Sequence, residues 1–315
     1  MNATRSPKRI SIVTPCFGEE NNIREMAVAI RAEMTKHAAY EYEHIFIDNG
    51  STDRSPDILR ALASEDSRIK VILNARNFGQ VRSGYHALLQ ANGDAVIGLA
   101  CDFQDPPELI SVFLAAWEAG ARIVLGVKET AAESALFFGL RSRYYKLLAR
   151  IADVTVVEHA TGFGLYDRTV VDDLRRIDDP YPYFRGLLAE IGHTPAIVRY
   201  NQPLRVRGVT SQNFWTLYDM ALLGIVNHSK VPLRLATIAG FATALMSLLA
   251  GCGYLVYKLL FWNQFSVGIA PLVIGIFFLS SVQLVFIGML GEYLGAVWTQ
   301  VRRHPHVFER ERLNF

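Results

Sequence analysis

The chain has 315 residues, enough for one large or two modest domains. Its formal net charge of +2 is too small to indicate a nucleic-acid partner, and no arm rich in lysine and arginine is present. Hydrophobic residues make up 51% of the chain and the mean hydropathy is +0.18, which is high for a soluble enzyme, and the excess lies after Pro232.

The cysteines and the N-terminus restrict the class of protein further. Cys16, Cys101 and Cys252 show neither CxxC nor paired spacing, so they indicate neither a disulfide framework nor a zinc site. The polar residues 1–9 lack the apolar stretch of a signal peptide. We therefore expect the N-terminal part of the chain to stay in the cytoplasm.

Strand and helix signals alternate between residues 9 and 126. The predicted strands are 9–15, 43–48, 70–73, 95–99 and 122–126. The predicted helices are 21–36, one that opens with Ser55 as N-cap and Pro56 in the first helical position, 79–91 and 106–119. This alternation predicts an α/β domain with a mostly parallel, Rossmann-like sheet covered by helices on both faces.

Polar clusters follow four of these strands, at residues 15–22, 48–53, 74–79 and 102–108. In open α/β sheets, ligands bind beyond the carboxyl ends of the strands. Turn chemistry alone is the alternative explanation. Four separate strand ends that all carry polar residues favour a ligand site.

The cluster after the fourth strand has the composition of a cation site. Asp102, Gln104 and Asp105 supply a carboxylate, a carboxamide and a second carboxylate, and alternate residues of an extended chain point the same way. Hard cations such as Mg²⁺ bind such oxygens, usually one or two carboxylates together with substrate phosphates. The alternative is an Asp/Pro turn that caps the next helix, with Pro106 or Pro107 in its first turn.

Two further segments have the pattern of amphipathic helices. Residues 134–151 carry Arg143, Lys146 and Arg150 on one face and apolar side chains on the other. A basic amphipathic helix can lie in a membrane interface, and the alternative is an ordinary surface helix packed on the sheet. Residues 214–228 are a second candidate, richer in aromatic residues, that leads directly into the apolar part of the chain.

Residues 233–260 and 270–301 are apolar tracts longer than the roughly 20 residues that span a hydrocarbon core. Basic residues flank their outer ends and the connecting loop has none, so the positive-inside rule predicts that both ends are cytoplasmic. Two buried core helices are the alternative. The predicted division is a cytoplasmic domain at 1–213, an interface helix at 214–232, a two-helix transmembrane hairpin at 233–301 and a basic cytoplasmic tail at 302–315.

Five motifs occur in order along the chain: TPCFGEE (14–20), IDNGSTD (47–53), ARNFG (75–79), DFQDPPE (102–108) and YFRGL (183–187). With these motifs and the two apolar tracts, nearly the whole chain resembles the membrane-bound polyprenyl-phosphate glycosyltransferases. These are family-2 enzymes of GT-A fold, related to dolichol-phosphate mannose synthase and to bacterial undecaprenyl-phosphate glucosyl- and aminoarabinosyl-transferases.

The resemblance implies an activity and a place in the cell. The activity is inverting transfer of a sugar from a nucleotide sugar, a UDP-sugar by the bacterial resemblance, to undecaprenyl or another polyprenyl phosphate. The reaction would take place at the cytoplasmic face of the inner membrane and supply a lipid-linked sugar for modification of cell-envelope glycans. The enzyme would be a homo-oligomer, a tetramer by the family resemblance.

The resemblance also implies roles for individual residues. The nucleotide sugar would contact Pro15, Glu19, Asp48, Arg76, Asn77 and Asp102. Mg²⁺ or Mn²⁺ would be held by Asp102 and Gln104 and would stabilise charge on the leaving diphosphate. Asp102, Asp105 and Asp167 would be the catalytic residues, with Asp105 and Asp167 positioning the sugar or assisting proton transfer.

The acceptor phosphate would contact Arg141, Arg143, Arg205 and Arg207. Arg205 and Arg207 alternate on an extended run and can aim two guanidinium groups at one anion. A phosphate monoester has a second pKa of about 6, so it is already an anion at neutral pH. Its attack on the sugar therefore needs positioning more than deprotonation, and proximity contributes roughly 7–11 kcal/mol in favourable cases.

The chain departs from the family pattern at several motif positions. Ala100 and Gly162 stand where carboxylates are common, and the second of these carboxylates is linked to catalysis in the family. Asn49 replaces a common Asp, Gly18 a common Asn, and Gln212 a common Lys. These departures weaken the expected metal affinity and leave no carboxylate at position 162 to act as a base.

Three other functions fit parts of the sequence. A lipid-anchored saccharide or diacylglycerol can replace polyprenyl phosphate as the acceptor. A non-catalytic membrane scaffold with a degenerate donor site would explain the departures, although Asp48, Arg76 and Asp102 are retained. A transporter is disfavoured because the apolar tracts carry Glu292 and Lys258 near their ends and no charge pair at the midplane. The sequence does not identify the sugar.

Overall fold

The computed structural model of the protein describes residues 7–129, 157, 160–177, 179–180, 182–203, 231–261, 269–302 and 304–315. The strands are β1 (Arg9–Cys16), β2 (Glu41–Asp48), β3 (Ile69–Asn74), β4 (Ala95–Gly98), β5 (Ile123–Lys128), β6 (Ala160–Asp167), β7 (Ala196–Tyr200) and β8 (Glu309–Leu313). The helices are α1 (Ile23–Thr35), α2 (Ser55–Glu65), α3 (Gln80–Gln90), α4 (Leu109–Glu118), α5 (Arg168–Ile177), α6 (Phe184–Ile191), α7 (Val231–Leu260) and α8 (Ile269–Arg302). The strands and helices predicted for residues 9–126 are all present, with small shifts of their ends.

The described strands form one mixed sheet of order β7-β5-β6-β4-β1-β2-β3-β8. The pairs β1–β2, β1–β4, β2–β3 and β5–β7 are parallel. The pairs β4–β6, β5–β6 and β3–β8 are antiparallel. The prediction of a mostly parallel sheet therefore holds for its centre, while antiparallel strands β6 and β8 were not predicted.

Strand β6 lacks a clear sequence signal because glycines interrupt it. Gly164 pairs with Gly98 on one side and with Leu125 on the other. A Cβ atom added at Gly164 would lie 2.2 Å from the backbone oxygen of Val124, so the two strands approach more closely than any side chain allows.

The core lies on both faces of the sheet, as the predicted helical layers require. On β2, Phe46 belongs to the apolar cluster that packs against α1, α2 and α4. Its neighbours Ile45 and Ile47 belong to the cluster that packs against α3, α5 and α6. Because both faces of the central strands are buried, these strands are continuous apolar runs in the sequence.

Residues after the second apolar helix return to the sheet. Strand β8 pairs antiparallel with β3, with Val71 opposite Leu313 and Asn74 opposite Glu309. Glu311 accepts hydrogen bonds from the Arg60 guanidinium at 2.8 and 3.0 Å. The prediction of a separate basic tail at 302–315 is therefore corrected, because this segment supplies an edge strand of the sheet domain. An isolated ERERL segment is too polar to reveal this from the sequence.

Helices α7 and α8 are long and apolar enough to span a membrane, with candidate spans Val231–Leu260 and Gly275–Arg302. Their most apolar windows are 0% buried within the protein. The alternative of two buried core helices is therefore wrong. The predicted amphipathic helices at 134–151 and 214–228 lie outside the described residues.

His44 on β2 is a histidine that the fold keeps neutral. Its Nε2 lies 3.0 Å from Thr14 Oγ1, and burial lowers the pKa of the ring to about 3. An unfolded chain has a histidine pKa near 6.5, so between about pH 6.5 and 3 the unfolded state binds a proton that the folded state does not. We expect this residue alone to lower the free energy of unfolding by about 1.4 kcal/mol per pH unit as the pH falls from 6.5 towards 3.

A His44→Gln variant tests this expectation, because glutamine keeps a hydrogen-bonding group near Thr14 but does not titrate. Urea unfolding of both proteins in detergent at a series of pH values gives the difference in their free energies of unfolding. The advantage of the wild type over the variant should shrink steadily from pH 6.5 downwards. A difference that stays constant between pH 7 and pH 4 would contradict the assignment.

Candidate active site

The carboxyl ends of four parallel strands lie side by side at one edge of the sheet. Val13 on β1 is opposite Gly98 on β4, and Cys16 is opposite Asp48 on β2. Asp48 is in turn opposite Leu73 on β3. The loops that follow these strands carry the four polar clusters, so the fold brings the clusters together as the sequence analysis expected.

The loops after β1 and β2 are joined by backbone-to-hydroxyl hydrogen bonds. Gly18 N–H donates to Ser51 Oγ at 2.9 Å, and Glu19 N–H donates to Ser55 Oγ at 3.1 Å. Ser55 is the first residue of α2 and Arg54 is the N-cap, without a capping side chain. The prediction that Ser55 is the N-cap is therefore wrong, because its hydroxyl instead holds the loop that carries Glu19.

Asp48 is a fully buried carboxylate at the centre of this edge. Its Oδ2 accepts hydrogen bonds from the backbone N–H groups of Gly50 and Ser51 at 3.1 and 3.0 Å. Its Oδ1 has no hydrogen-bond partner among the described residues. Burial raises the pKa of Asp48, partly offset by the hydrogen bonds from Ser51 and Gly50. A buried acceptor without a donor costs about 1–3 kcal/mol, so a ligand N–H or O–H that reaches Oδ1 would bind favourably.

Asn49 organises the loop at residues 75–79, which we call the nucleotide loop because the family resemblance predicts nucleotide contacts at Arg76 and Asn77. Its Oδ1 accepts from Phe78 N–H at 3.0 Å, and its Nδ2 donates to Asn77 Oδ1 at 2.9 Å. Gly50 has φ +78°, and a Cβ added there would lie 2.5 Å from the backbone carbon of Arg76. The loops after β2 and β3 therefore touch at a position that only glycine can occupy.

Arg76 and Asn77 are both part of the nucleotide loop. The Arg76 guanidinium lies 4.1 Å from the centre of the Phe78 ring and donates to the backbone oxygen of Asn77 at 2.9 Å. Asn77 Oδ1 accepts from both Asn49 and the Gly79 N–H, the latter at 2.8 Å. The exposed guanidinium is therefore held against an aromatic face, while Asn77 shapes the loop.

Pro15 lies within strand β1. It is opposite Ile47 in the β1–β2 pair. A Cβ added at Gly84 on α3 would lie 3.7 Å from the Pro15 ring. Pro15 therefore lies next to α3, one residue before Cys16 ends β1.

Asp102 and Asp105 lie in the loop after β4, and they differ in their surroundings. Both side chains are buried. Asp102 Oδ1 accepts from Gln104 N–H at 3.2 Å. Asp105 accepts from Ala100 N–H and from the Tyr200 hydroxyl, both at 3.0 Å, and burial raises its pKa. Both oxygens of Asp105 are thus bonded within the protein, which indicates that Asp105 shapes the loop that presents Asp102.

The alternative explanation for this loop was an Asp/Pro turn that caps the next helix, and the start of α4 tests it. Helix α4 begins at Leu109, and its N-cap Glu108 makes no side-chain capping bond. Pro106 and Pro107 precede the first turn. Neither Asp102 nor Asp105 caps the helix.

Asp167 lies at the opposite edge of the sheet. It is opposite Ala95, the first residue of β4. Its Oδ2 accepts from Trp117 Nε1 at 2.8 Å, and its Oδ1 accepts from Thr169 N–H at 3.0 Å at the start of α5. The catalytic assignment of Asp167 is therefore corrected. Because β6 runs antiparallel to β4, its last residue is carried away from the site.

The first residues of β6 instead lie at the site edge. A Cβ added at Gly98 would lie 3.2 Å from the backbone oxygen of Gly162. Gly162 has φ +100° and its oxygen accepts from the Tyr166 hydroxyl at 2.8 Å. Position 162 is thus at the site, but its conformation is one that residues with a side chain rarely adopt.

Comparisons with known proteins show the family of this chain. Residues 11–175 match the model of glycosyl transferase family 2. The SfII prophage-derived bactoprenol glucosyl transferase of Shigella flexneri is 34% identical over 298 residues, which cover 94% of this chain and 96% of that protein. The chain belongs to glycosyl transferase family 2. The predicted family, the GT-A fold and the enzyme class are thereby confirmed.

A second curated relative and one solved structure are also similar to this glycosyl transferase. A prophage bactoprenol glucosyl transferase homolog of Escherichia coli K12 is 32% identical, over 94% of this chain and 97% of that protein. The crystal structure of glucosyl-3-phosphoglycerate synthase from Mycobacterium tuberculosis with Mn²⁺, UDP and glucosyl-3-phosphoglycerate is 20% identical with a TM-score of 0.45, over 70% of this chain and 78% of that chain. The curated relatives match both the sheet domain and the apolar helices, which indicates that this glycosyl transferase is membrane-associated.

The described residues offer few groups that could bind a metal ion. The part of the chain that the structure describes contains no group of three or more His, Cys, Asp or Glu side chains that could hold a metal ion. Asp102 and Gln104 offer one carboxylate and one carboxamide. Because Mg²⁺ is commonly bound by one or two carboxylates plus substrate phosphates, this set fits a cation that arrives with a diphosphate.

Some site residues were predicted and others were not. The predicted acceptor-binding residues Arg141, Arg143, Arg205 and Arg207 lie outside the described residues. Asn49 was noted as a departure from the family pattern, and the structure shows it as the organiser of the nucleotide loop. Tyr200 had no sequence signal, since its partner Asp105 is 95 residues away.

Proposed function

We propose that this glycosyltransferase transfers a sugar from a nucleotide sugar to polyprenyl phosphate at the cytoplasmic face of the membrane, supplying a lipid-linked sugar for modification of cell-envelope glycans. One observation carries the proposal. A donor-type site and two helices of membrane-spanning length occur in one chain, and relatives named bactoprenol glucosyl transferase match 94% of that chain.

The donor is a UDP-sugar in this proposal. Uracil presents an imide N–H, and a buried carboxylate oxygen without a donor is a suitable acceptor for it. Asp48 Oδ1 is such an oxygen. Glu19, Asn77 and Pro15 border the same edge, and the Arg76 guanidinium is available to the base or the phosphates.

Asp102 and Gln104 hold Mg²⁺ or Mn²⁺ in this proposal. The cation neutralises charge on the diphosphate when it is bound there. Asp105 keeps the Asp102 carboxylate in place, because it bonds the loop that carries both residues to Ala100 and Tyr200.

The proposed reaction is an inverting displacement. A phosphate oxygen of the acceptor forms a bond to the anomeric carbon of the sugar, and the bond from that carbon to the nucleoside diphosphate breaks, with its electron pair leaving on the diphosphate. The acceptor is already an anion, so no residue has to remove a proton from it. A carboxylate at position 162 is therefore not required, and Arg141, Arg143, Arg205 and Arg207 are the proposed acceptor ligands.

The proposed topology follows from the same chemistry. Helices α7 and α8 form a hairpin, and residues 1–232 and 302–315 lie on the cytoplasmic side, where nucleotide sugars are made. Strand β8 supports this arrangement, since it joins the segment after α8 to the same sheet as β1–β7. The proposed assembly is a homotetramer.

Sealed membrane vesicles test the function and the topology together. Inside-out and right-side-out vesicles that contain the protein and undecaprenyl phosphate are each given a panel of radiolabelled UDP- and GDP-sugars. We expect label to enter the organic extract with one UDP-sugar, in inside-out vesicles, because nucleotide sugars do not cross the bilayer.

Three outcomes contradict parts of the proposal. Transfer in right-side-out vesicles would overturn the topology. Label that enters the extract without added undecaprenyl phosphate, on a saccharide-bearing lipid or diacylglycerol, would replace the acceptor. An absence of transfer with every donor would favour the non-catalytic scaffold.

A further inference from the structure

The segment that follows helix α8 contacts the nucleotide loop directly. We call residues 304–308 the C-terminal connector; it joins the end of α8 to strand β8. Most of this segment is exposed, but Val307 is buried. The connector lies between helix α8 and strand β8, and it contacts both the body of the sheet domain and the nucleotide loop.

One set of contacts holds the connector and the end of α8 to the sheet domain. Gln300 Nε2 on α8 donates to Asp179 Oδ1 at 2.9 Å, and His306 Nε2 lies 2.8 Å from the backbone oxygen of Asp179. The Arg82 guanidinium on α3 donates to the backbone oxygen of Pro305 at 2.7 Å. The connector and the end of α8 are therefore held to Arg82 on α3 and to Asp179, which lies between α5 and α6 in the sequence.

A second set of contacts reaches the nucleotide loop. The backbone oxygen of Phe308 accepts from Ala75 N–H, the first amide of the loop, at 2.8 Å. The Phe308 ring centre lies 6.1 Å from that of Phe78, with the planes tilted by 45°. Phe78 is the ring on which the Arg76 guanidinium rests at 4.1 Å. Phe78 thus contacts both Phe308 and the Arg76 guanidinium.

The other side of Phe78 is held within the sheet domain. Phe78 N–H donates to Asn49 Oδ1 at 3.0 Å, and the Phe78 side chain is largely buried. The Phe308 ring is about half exposed. Phe308 therefore contacts Phe78 from the side of the C-terminal connector, while Asn49 holds the Phe78 backbone from the side of β2.

We propose that Phe308 is a positioning residue for the donor site, so that the segment emerging from the second membrane helix sets the conformation of the nucleotide loop and through it the affinity for the donor. The inference rests on the proposed function. Phe308 does not itself touch the donor. It acts through Phe78 on the orientation of Arg76.

Purified full-length protein in detergent tests this role, with UDP as the probe. We expect Phe308→Ala to raise the Kd for UDP and the KM for the donor roughly three- to tenfold, the range that corresponds to loss of one aromatic pair. The kcat should change less than about twofold, because the reacting groups stay in place. Phe308→Tyr keeps the ring and should restore wild-type affinity.

Phe315→Ala is the matched control. Phe315 is also a partly exposed ring in the C-terminal segment, but its contacts are with Lys70 and Arg312 and not with the nucleotide loop. We expect its Kd for UDP to equal that of the wild type. Equal weakening in both alanine variants would show that any damage to the C-terminal segment suffices, which would overturn the positioning role of Phe308.

Hydrogen–deuterium exchange separates this inference from the proposed function. Amides of residues 75–79 should exchange faster in Phe308→Ala than in the wild type or in Phe315→Ala, while amides of β2 stay equally protected. If the wild type neither binds UDP nor transfers sugar, the proposed function fails. The exchange result still decides whether Phe308 holds residues 75–79 in place. Unchanged exchange in residues 75–79 of Phe308→Ala overturns the inference.

Discussion

Replacing Asp102 by Asn should reduce sugar transfer by about 100-fold or more while leaving the protein folded. The substitution keeps the size of the side chain, and an Asn oxygen can still accept the Gln104 N–H that bonds to Asp102 Oδ1 at 3.2 Å. What it removes is the negative charge. Because Ala100 and Gly162 stand at two positions where the family commonly has carboxylates, the proposed cation-binding role rests mainly on Asp102. Loss of one preorganised electrostatic group at a reacting centre typically costs 10²–10³ in rate.

The measurement is transfer of labelled sugar to undecaprenyl phosphate in detergent with Mg²⁺ or Mn²⁺ present. Excess EDTA should lower the activity of the wild type to the level of the variant, and added Mn²⁺ should restore the wild type more than the variant. Asp167→Asn is the control, because the structure places that carboxylate at the opposite edge of the sheet. Transfer by Asp102→Asn in EDTA at the wild-type rate would rule out the metal assignment.

Replacing Asp48 by Asn should weaken UDP binding by roughly 10- to 100-fold, since a hydrogen bond to a charged group contributes about 1.5–3 kcal/mol. The Asn oxygen can take over the two backbone N–H bonds from Gly50 and Ser51. Its amide nitrogen would then stand in place of Oδ1. A carboxylate oxygen that accepts an N–H is thereby replaced by a donor that repels one.

Because Asp48→Asn replaces a hydrogen-bond acceptor with a donor, two nucleotides that differ at the base edge can test the contact. Cytosine has an acceptor at N3 where uracil has an N–H, so Asp48→Asn should lose affinity for UDP but not for CDP. Calorimetric titration of both nucleotides against both proteins measures the change, and a thermal melt confirms that the variant is folded. If UDP and CDP weaken equally, Asp48 does not contact the base edge. Its carboxylate then acts on the ribose or diphosphate that the two nucleotides share, or through the Gly50–Ser51 turn.

Strands β1–β5 and helices α1–α4 could be predicted because their signals are local. A strand buried on both faces is a continuous apolar run, and a helix between two such strands shows its period within a dozen residues. The carboxyl ends of parallel strands lie at one edge, so Glu19, Asp48, Arg76 and Asp102 could be grouped from the sequence. Helices α7 and α8 could also be predicted, because their length and apolar composition are properties of continuous stretches of sequence.

The sequence could not show which strand pairs with which. Strand β6 is interrupted by glycines that exist because β4 and β5 approach it closely, and its antiparallel direction sends Asp167 to the far edge. Strand β8 is a short, charged segment that becomes a strand because β3 offers it an unpaired edge. Its nearest partners are more than two hundred residues away in the chain, beyond the reach of any local pattern.

The roles of the site residues were likewise only partly predictable from the sequence. The sequence by itself determined the kinds of groups at the site, because its motifs supply acidic, amide and basic side chains after the strands. The family resemblance of these motifs is the basis for expecting a nucleotide sugar and a cation there. The tertiary structure decided which of them are available to a ligand. Asp105 is bonded on both oxygens, while Asp48 keeps one oxygen without a partner among the described residues. Hydrogen bonds form between groups that folding brings within 3 Å, and such distances are set by the packing of the whole sheet rather than by neighbours in sequence.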